Sequence, residues 1–187
     1  TVFASDDLTI NGSGSLSITS LYRHAVEAND DLVITGGTIT INAAEDALNV
    51  NDSIRICSAD ITAIAGDDGI KVKNDDGYFY FESGNLDITS ADDSIHAAGD
   101  ITIAGGAITI DSGDDAIHSD TAIYFSDGTL LVENCYEGLE AVTVDVSGGD
   151  ITIYAEDDGI NANGGSGGFG QMGGSGPSAF SDDASST

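Results

Sequence analysis

The sequence predicts an all-β fold, namely a right-handed, single-stranded parallel β-helix of about seven coils. Three observations lead to this prediction: a repeat of about 22 residues, three short alternating segments in each repeat, and a composition rich in β-branched and turn-forming residues. Aliphatic residues mark the repeat at positions 26, 48, 70, 95, 117, 139 and 160, with separations of 22, 22, 25, 22, 22 and 21 residues. Right-handed winding is the usual form of a parallel crossover.

Each repeat contains three segments with the period-2 alternation of short, half-buried strands. In one repeat they are residues 95–97, 101–103 and 108–110, and Gly or Ser residues occupy the corners between and after them. Three strands and three turns per repeat make one coil of a β-helix. Successive coils then stack about 4.8 Å apart through parallel hydrogen bonds.

Stacking places like residues on like, so each face is predicted to bury one or two aliphatic columns. The column of the first face comprises Val26, Leu48, Ile70, Ile95, Ile117, Leu139 and Ile160. The second face is predicted to bury residues from Leu32 to Val146, and the third face residues from Ile39 to Ile153. Ala63 is small for its column, and we expect Ile64 to help fill the space beside it.

The β-helix is predicted to occupy residues 1–163, followed at 164–187 by a Gly-rich loop that leads towards a possible further coil. The unfinished coils at both ends suggest a longer solenoid, or ends that pair with another molecule, so end-to-end self-association is an open alternative. With 33 acidic and 4 basic residues, the net charge of -29 disfavours nucleic acids and anionic membranes as partners. No apolar run approaches the ~20 residues of a membrane span.

An acidic pair recurs in most repeats, directly before a small and an aliphatic residue. Stacking is predicted to pile these carboxylates into one edge column, where like charges about 5 Å apart repel by roughly 3 kcal/mol at an effective dielectric of ~20. Ca²⁺ accepts six to eight oxygen ligands and is the predicted cofactor, with a solvated acidic edge as the alternative. The predicted calcium ligands are Glu45, Asp46, Asp67, Asp68, Asp92, Asp93, Asp114, Asp115, Glu137, Asp157 and Asp158.

The cysteines and histidines carry weaker signals. Cys57 and Cys135 lie three coils apart, about 14 Å along the axis, which is too far for a disulfide. His96 and His118 share one outward position in adjacent coils. They are either a solvated pair or a transition-metal site, because imidazole is a ligand of such metals.

Two tyrosines share an outward column on the second face. Tyr80 and Tyr124 are two coils apart, hence about 10 Å, which is similar to the length of two sugar units in an extended glucan. Aromatic faces with a phenol hydroxyl suit sugar rings. An equally good interpretation is that they are two unrelated surface tyrosines. A row of outward threonines on the third face, broken by Asp87 and Leu131, gives a minor ice-binding alternative.

The acidic repeats resemble those of a known family. Gly66-Asp67-Asp68-Gly69-Ile70 and residues 157–165 (DDGINANGG), set in coils of Asp-Ile-Thr-Ile type, are similar to the carbohydrate-binding β-helix family of cellulose-degrading anaerobic bacteria, formerly a domain of unknown function. The resemblance implies a pectate-lyase-like fold, calcium at the acidic pairs, and binding of cellulose or polygalacturonic acid. Arg23-His24 and Tyr136 depart from the acidic pattern.

The resemblance and the surface residues together predict non-catalytic binding of plant cell-wall polysaccharide, polygalacturonate and/or cellulose, through Tyr80, Tyr124 and Lys71. A calcium-dependent polysaccharide lyase is the first alternative, with Lys71 as its base, although a lysine so close to carboxylates keeps its proton. A structural β-solenoid segment of an adhesin or filament is the second. The expected location is extracellular or the cell surface.

Overall fold

Parallel pairing between successive repeats builds the whole of the described structure. The computed structural model describes residues 1–163, and these form twenty short strands joined by turns, with no helix among them. Every strand pair is parallel and links one repeat to the next. The strands complete about seven coils, which confirms the predicted all-β solenoid with three strand segments in each coil.

The strands occupy three faces. The first face contains β1 (Val2–Ala4), β4 (Val26–Ala28), β7 (Leu48–Val50), β10 (Ile70–Val72), β13 (Ile95–Ala97), the start of β16 (Ile117–Phe125), the start of β18 (Leu139–Val146) and β20 (Ile160–Ala162). The second face contains β2 (Leu8–Ile10), β5 (Asp31–Ile34), β8 (Ser53–Ile56), β11 (Tyr78–Phe81), β14 (Ile101–Ile103) and the ends of β16 and β18. The third face contains β3 (Ser15–Ser20), β6 (Gly37–Ala43), β9 (Ala59–Ala65), β12 (Gly84–Ser90), β15 (Ala107–Asp111), β17 (Thr129–Asn134) and β19 (Asp150–Ile153).

The strand register stacks equivalent residues of neighbouring coils directly on one another. Ile70 pairs with Leu48 on one side and with Ile95 on the other. Because β16 and β18 run across a corner without a break, the first and second faces join into one 13-stranded sheet, while the third face is a separate 7-stranded sheet. This register brings the acidic pairs into a single edge between the third and first faces.

The core is a continuous stack of aliphatic and aromatic side chains enclosed by the three faces. Its largest members are Phe79, Phe81 and Phe125 on the second face, all fully buried. Burial of one such side chain stabilises the fold by about 1.5–3 kcal/mol relative to exposure. The dense spacing of these columns explains why so acidic a chain still folds.

Three predicted core positions differ from the structure. Val146 and Ile160 are 46% and 50% exposed, because within residues 1–163 only β20 stacks beyond the last full coil. Ile64 is also 50% exposed, so it does not fill the space beside Ala63. Alternate residues of a strand point to opposite faces, and Ile64 therefore points away from the column that contains Ala63.

Glycines allow the corner that carries the acidic pairs to approach the coil before it. Gly66 and Gly113 directly precede the pairs that begin at Asp67 and Asp114. A Cβ atom at Gly66 would overlap the carbonyl group of Ala44 in the preceding coil, and Gly113 is packed in the same way. Within residues 1–163 the structure contains no helix long and apolar enough to cross a membrane.

Candidate functional site

The second acid of each pair points into the edge and forms what we call the inner Asp column, which consists of Asp46, Asp68, Asp93 and Asp115. All four are buried, with 3–5% of their surface exposed. Each of the first three accepts, through Oδ1, the backbone N–H of the next member, at 3.1 Å for Asp68, 3.2 Å for Asp93 and 3.0 Å for Asp115. The column is therefore a ladder in which each carboxylate caps the backbone of the next coil.

The residue three positions after each inner acid supplies a partner for the remaining carboxylate oxygen. Asn49 donates to Asp46 Oδ2 at 2.5 Å, and the Lys71 ammonium lies 2.7 Å from Asp68 Oδ2. Farther along the edge the pattern differs: Asn161 donates to Glu137 of the preceding coil at 2.8 Å, and Glu137 is only half-buried. The sequence argument that these acids repel one another until cations enter therefore overlooked the protein's own donors.

Two imidazoles converge on the middle of the inner Asp column. The rings of His96 and His118 stack with centroids 4.6 Å apart and planes 4° from parallel. Their Nδ1 atoms lie 3.2 Å and 3.3 Å from the same oxygen, Oδ2 of Asp93. The Lys71 ammonium is also 2.6 Å from His96 Nδ1. The predicted shared position of the two histidines is confirmed, and both are half-buried, not freely solvated.

The electrostatic environment differs between neighbouring members of the column. Burial alone would raise the pKa of Asp93, but the adjacent imidazoles of His118 and His96 outweigh it and hold that pKa well below its usual range. The hydrogen bond to Asp93 in turn raises the pKa of His118 to about 9, against the opposing effect of burial. Burial raises the pKa of Asp115, and a hydrogen bond with Glu140 raises it further. Burial also raises the pKa of Asp68, although Lys71 opposes this.

The first acid of each pair points outward, and these residues form the outer acidic column, which consists of Glu45, Asp67, Asp92, Asp114 and Asp157. Glu45 is half-buried and the other four are exposed. Oxygens of Asp67, Asp68 and Asp92 all lie within 4.8 Å of one another, and those of Asp92, Asp93 and Asp114 repeat this arrangement one coil later. Burial raises the pKa of Asp92, and the neighbouring carboxylates add to the effect.

The two departures from the acidic pattern have definite places in the edge. His24 precedes Asp46 in the inner position, with Nδ1 3.1 Å from Asp46 Oδ2 and Nε2 3.3 Å from Glu45 Oε2. Sequence reasoning missed this contact, although the pairing of Val26 with Leu48 implies it. Tyr136 replaces an outer acid and is 48% exposed.

A shallow groove of about 340 Å³ runs along the edge. Its lining includes Lys71, both stacked imidazoles, Tyr136 and Glu140. Beyond this groove, the last acidic pair among residues 1–163 is Asp157 and Asp158, and both of its members are exposed. The groove thus combines carboxylate, imidazole and ammonium groups, whereas the edge beyond it offers the carboxylates of Asp157 and Asp158 and the amide of Asn161.

The second face carries the tyrosine row predicted from the sequence. Tyr80 pairs with Thr102, which pairs with Tyr124, so both phenol rings stand in one column. Tyr124 is 41% exposed and Tyr80 is half-buried beside Arg55, with which it pairs. Lys71 lies instead on β10 of the first face, with its ammonium held at the acidic edge, so the structure does not bring it together with the tyrosines.

A concave surface of about 320 Å³ adjoins Tyr80, lined also by Val33, Arg55 and Glu82. Cys57 contributes to the same surface. Both cysteines of the chain, Cys57 and Cys135, are free thiols, in agreement with the distance argument from the sequence. The second face thus offers an aromatic row, one guanidinium and a shallow depression.

Comparison with known proteins places the chain in a family. The sequence model of a family described as "Carbohydrate-binding domain-containing protein" matches residues 1–184. A protein of Acetivibrio thermocellus with the same description is 41% identical over 106 residues, which cover 54% of this chain and 37% of that relative. The match thus spans little more than a third of the relative's length, and no solved structure matches the chain significantly. Because the family model covers nearly the full sequence, the chain belongs to the carbohydrate-binding domain-containing family.

Proposed function

We propose that this chain binds plant cell-wall polysaccharide, polygalacturonate and/or cellulose, without cleaving it, and that Ca²⁺ stabilises its acidic edge. Membership of the carbohydrate-binding family supports the general function. The single structural observation that carries the proposal is the register of Tyr80 and Tyr124 on the second face. Since wall polysaccharides lie outside cells, the proposed location is extracellular or the cell surface.

The tyrosine row fits an extended sugar chain. Tyr80 and Tyr124 are two coils apart, with Thr102 between them, so their spacing is about 10 Å along the axis. Aromatic faces bury the apolar side of a sugar ring, and phenol hydroxyls bond to its oxygens. Arg55 lies directly beside Tyr80 and presents a planar fork that pairs well with a uronate carboxylate. The same row therefore accommodates a neutral glucan or an acidic galacturonan.

Calorimetry with purified oligosaccharides tests the row. Tyr80→Ala and Tyr124→Ala are each expected to weaken binding of cello-oligosaccharides or oligogalacturonates about tenfold, corresponding to roughly 1.4 kcal/mol for a central aromatic contact. Tyr22→Ala is the matched control, because Tyr22 is 83% exposed and lies in a turn outside the row. Equal affinities for all three variants would show that sugar binds elsewhere.

The calcium proposal is supported by the repeated carboxylate triads and by one unpaired oxygen. Each triad gathers three carboxylate oxygens within 4.8 Å, compatible with Ca²⁺–oxygen distances of about 2.3–2.6 Å. Asn49 is 4% exposed, and its side-chain Oδ1 has no hydrogen-bond partner among the residues that the structure describes. Because its amide nitrogen is engaged by Asp46, this free atom is the oxygen, a common type of calcium ligand, although it lies beside Asp46 and outside the two triads.

Bound Ca²⁺ would offset the charge of the outer acidic column, where the structure offers few protein donors. Asp67, Asp92 and Asp114 are the residues that would hold it, assisted by Asp68 and Asp93. An ion at this exposed edge would also bridge to uronate carboxylates, which reconciles an acidic ligand with a net charge of -29. Lys71 is poorly suited to act as the base of a lyase, since its ammonium contacts both Asp68 and His96.

Calcium titration with edge variants tests this part of the proposal. Asp92→Asn is expected to lower calcium affinity at least tenfold, because Asp92 belongs to both triads. Asp87→Asn is the control, since Asp87 is exposed on the third face. An Asp92→Asn variant that binds calcium as tightly as the control would reject the site. Formation of unsaturated products from polygalacturonate, read by ultraviolet absorbance, would instead establish the lyase.

A further inference from the structure

The stacked imidazoles and Asp93 have a geometry that neither sugar binding nor calcium requires. Two histidines that merely stack need only overlapping rings. Here both Nδ1 atoms also lie close to one oxygen, Oδ2 of Asp93, at 3.2 Å and 3.3 Å. Asp93, His96 and His118 each offer a ligand atom within 4.8 Å of the other two. A second group, formed by Asp115, His118 and Glu140, adjoins the first and shares His118 with it.

We propose that Asp93, His96 and His118 form a binding site for a divalent transition metal of the Zn²⁺ type, with Asp115 or Glu140 as a further ligand. Zn²⁺ binds nitrogen and oxygen ligands at about 2.0–2.2 Å in a tetrahedron, so two ligand atoms of one ion are about 3.4 Å apart. The measured separations between Asp93 Oδ2 and the two Nδ1 atoms are 3.2 Å and 3.3 Å. These two separations match that value, and ligand atoms of all three residues lie within 4.8 Å of one another.

The two neighbours of the His96 Nδ1 atom make conflicting hydrogen-bonding demands, which also favours a bound metal cation at this position. The Lys71 ammonium has only hydrogen atoms to offer, so the Nδ1 atom that it contacts at 2.6 Å must present its lone pair. The same Nδ1 atom faces the Asp93 carboxylate, which also offers only lone pairs when ionised. One nitrogen cannot satisfy both neighbours, whereas a metal ion would accept the lone pairs of His96, His118 and Asp93 together. Lys71 currently supplies the positive charge and would compete with the metal.

The site is held in place by the backbone and differs chemically from the calcium triads. Oδ1 of Asp93 accepts the backbone N–H of Asp115 at 3.0 Å, which fixes the carboxylate and leaves Oδ2 to the imidazoles. Such support of a ligand from outside the metal shell increases metal affinity. Ca²⁺ prefers oxygen, whereas imidazole selects transition metals. Histidine variants therefore separate this proposal from the calcium proposal.

Calorimetry with ZnCl₂ on metal-stripped protein tests the site. One equivalent of Zn²⁺ is expected to bind. His96→Ala and His118→Ala should each lower the Zn²⁺ affinity at least about tenfold, since loss of a mere supporting residue already lowers metal affinity by about that factor. His24→Ala is the matched control, because His24 contacts Asp46 and Glu45 and belongs to neither group. Lys71→Met removes the competing ammonium and should tighten Zn²⁺ binding.

Two further measurements keep the test decisive if a variant does not fold. Co²⁺ added to the unaltered chain should give the intense visible absorption of a tetrahedral site with nitrogen ligands, and the weak spectrum of an octahedral ion would overturn the proposal. Calcium affinity of the histidine variants should stay within twofold of the unaltered chain. Absence of Zn²⁺ binding, or equal Zn²⁺ affinity for His96→Ala, His118→Ala and His24→Ala, would likewise overturn it and leave the calcium proposal unaffected.

Discussion

Replacement of Asp93 by alanine is expected to be among the most costly single changes in the acidic edge, even in the absence of any metal ion. Asp93 is 5% exposed; its Oδ2 lies 3.2 Å and 3.3 Å from the Nδ1 atoms of His96 and His118, and its Oδ1 accepts the backbone N–H of Asp115. Its removal leaves the half-buried imidazolium of His118 and the backbone N–H of Asp115 without their acceptor. Breaking a buried charged pair in this way costs about 3–5 kcal/mol of unfolding free energy.

Urea unfolding in EDTA, followed by circular dichroism, measures this cost without a contribution from bound ions. With an m-value of about 2–3 kcal/mol/M, a loss of about 3–5 kcal/mol lowers the unfolding midpoint by about 1–2.5 M. The matched control is Asp92→Ala, because Asp92 is exposed and surrounded by like charges, and its removal should change stability by no more than about 0.5 kcal/mol. Equal midpoints for the two variants would refute the distinction between the inner and outer columns.

Three other changes probe the core, a corner and the thiols. Phe79→Ala should lower the unfolding free energy by about 3–5 kcal/mol, because Phe79 is fully buried in the central stack; thermal or urea unfolding measures it. Gly84→Ala should also destabilise the fold in the same assay, since Gly84 has a φ of 112° and an added Cβ would overlap the carbonyl oxygen of Ala59. A thiol reagent at pH 8 should modify Cys57 readily, whereas burial raises the pKa of Cys135 to about 11 and should keep it unreactive until the chain unfolds.

The sequence predicts the fold and the strand columns well because backbone pairing in a solenoid forces equivalent residues of neighbouring repeats to stack. The spacing alone placed His96 over His118 and Tyr80 two coils from Tyr124, and both placements are confirmed. The predicted burial of Val146 was wrong because the prediction assumed that another coil covers the last one. In the described residues only β20 follows it.

The contacts at the acidic edge could not be predicted in the same way. The pattern of acids indicated one shared edge but not that Asp67 points outward while Asp68 points inward, because that choice depends on the backbone torsions of the corner. Pairing of Asp68 with Lys71 follows from the same corner geometry. His24 was discounted because it breaks the acidic pattern, although its register with Asp46 makes it a partner of that pattern.

The distribution of the few positive groups distinguishes the inner Asp column from the outer acidic column. The sequence has seven Lys, Arg and His side chains, four Lys and Arg plus three His, against 33 acids. Four of the seven, His24, Lys71, His96 and His118, contact the inner Asp column. Each inner carboxylate therefore has an ammonium or imidazole partner within the protein itself. Among residues 1–163, the outer acidic column has one such partner, His24 beside Glu45, so its charge is what dissolved cations would stabilise. Ion-dependent behaviour should therefore depend on Asp92 far more than on Asp46.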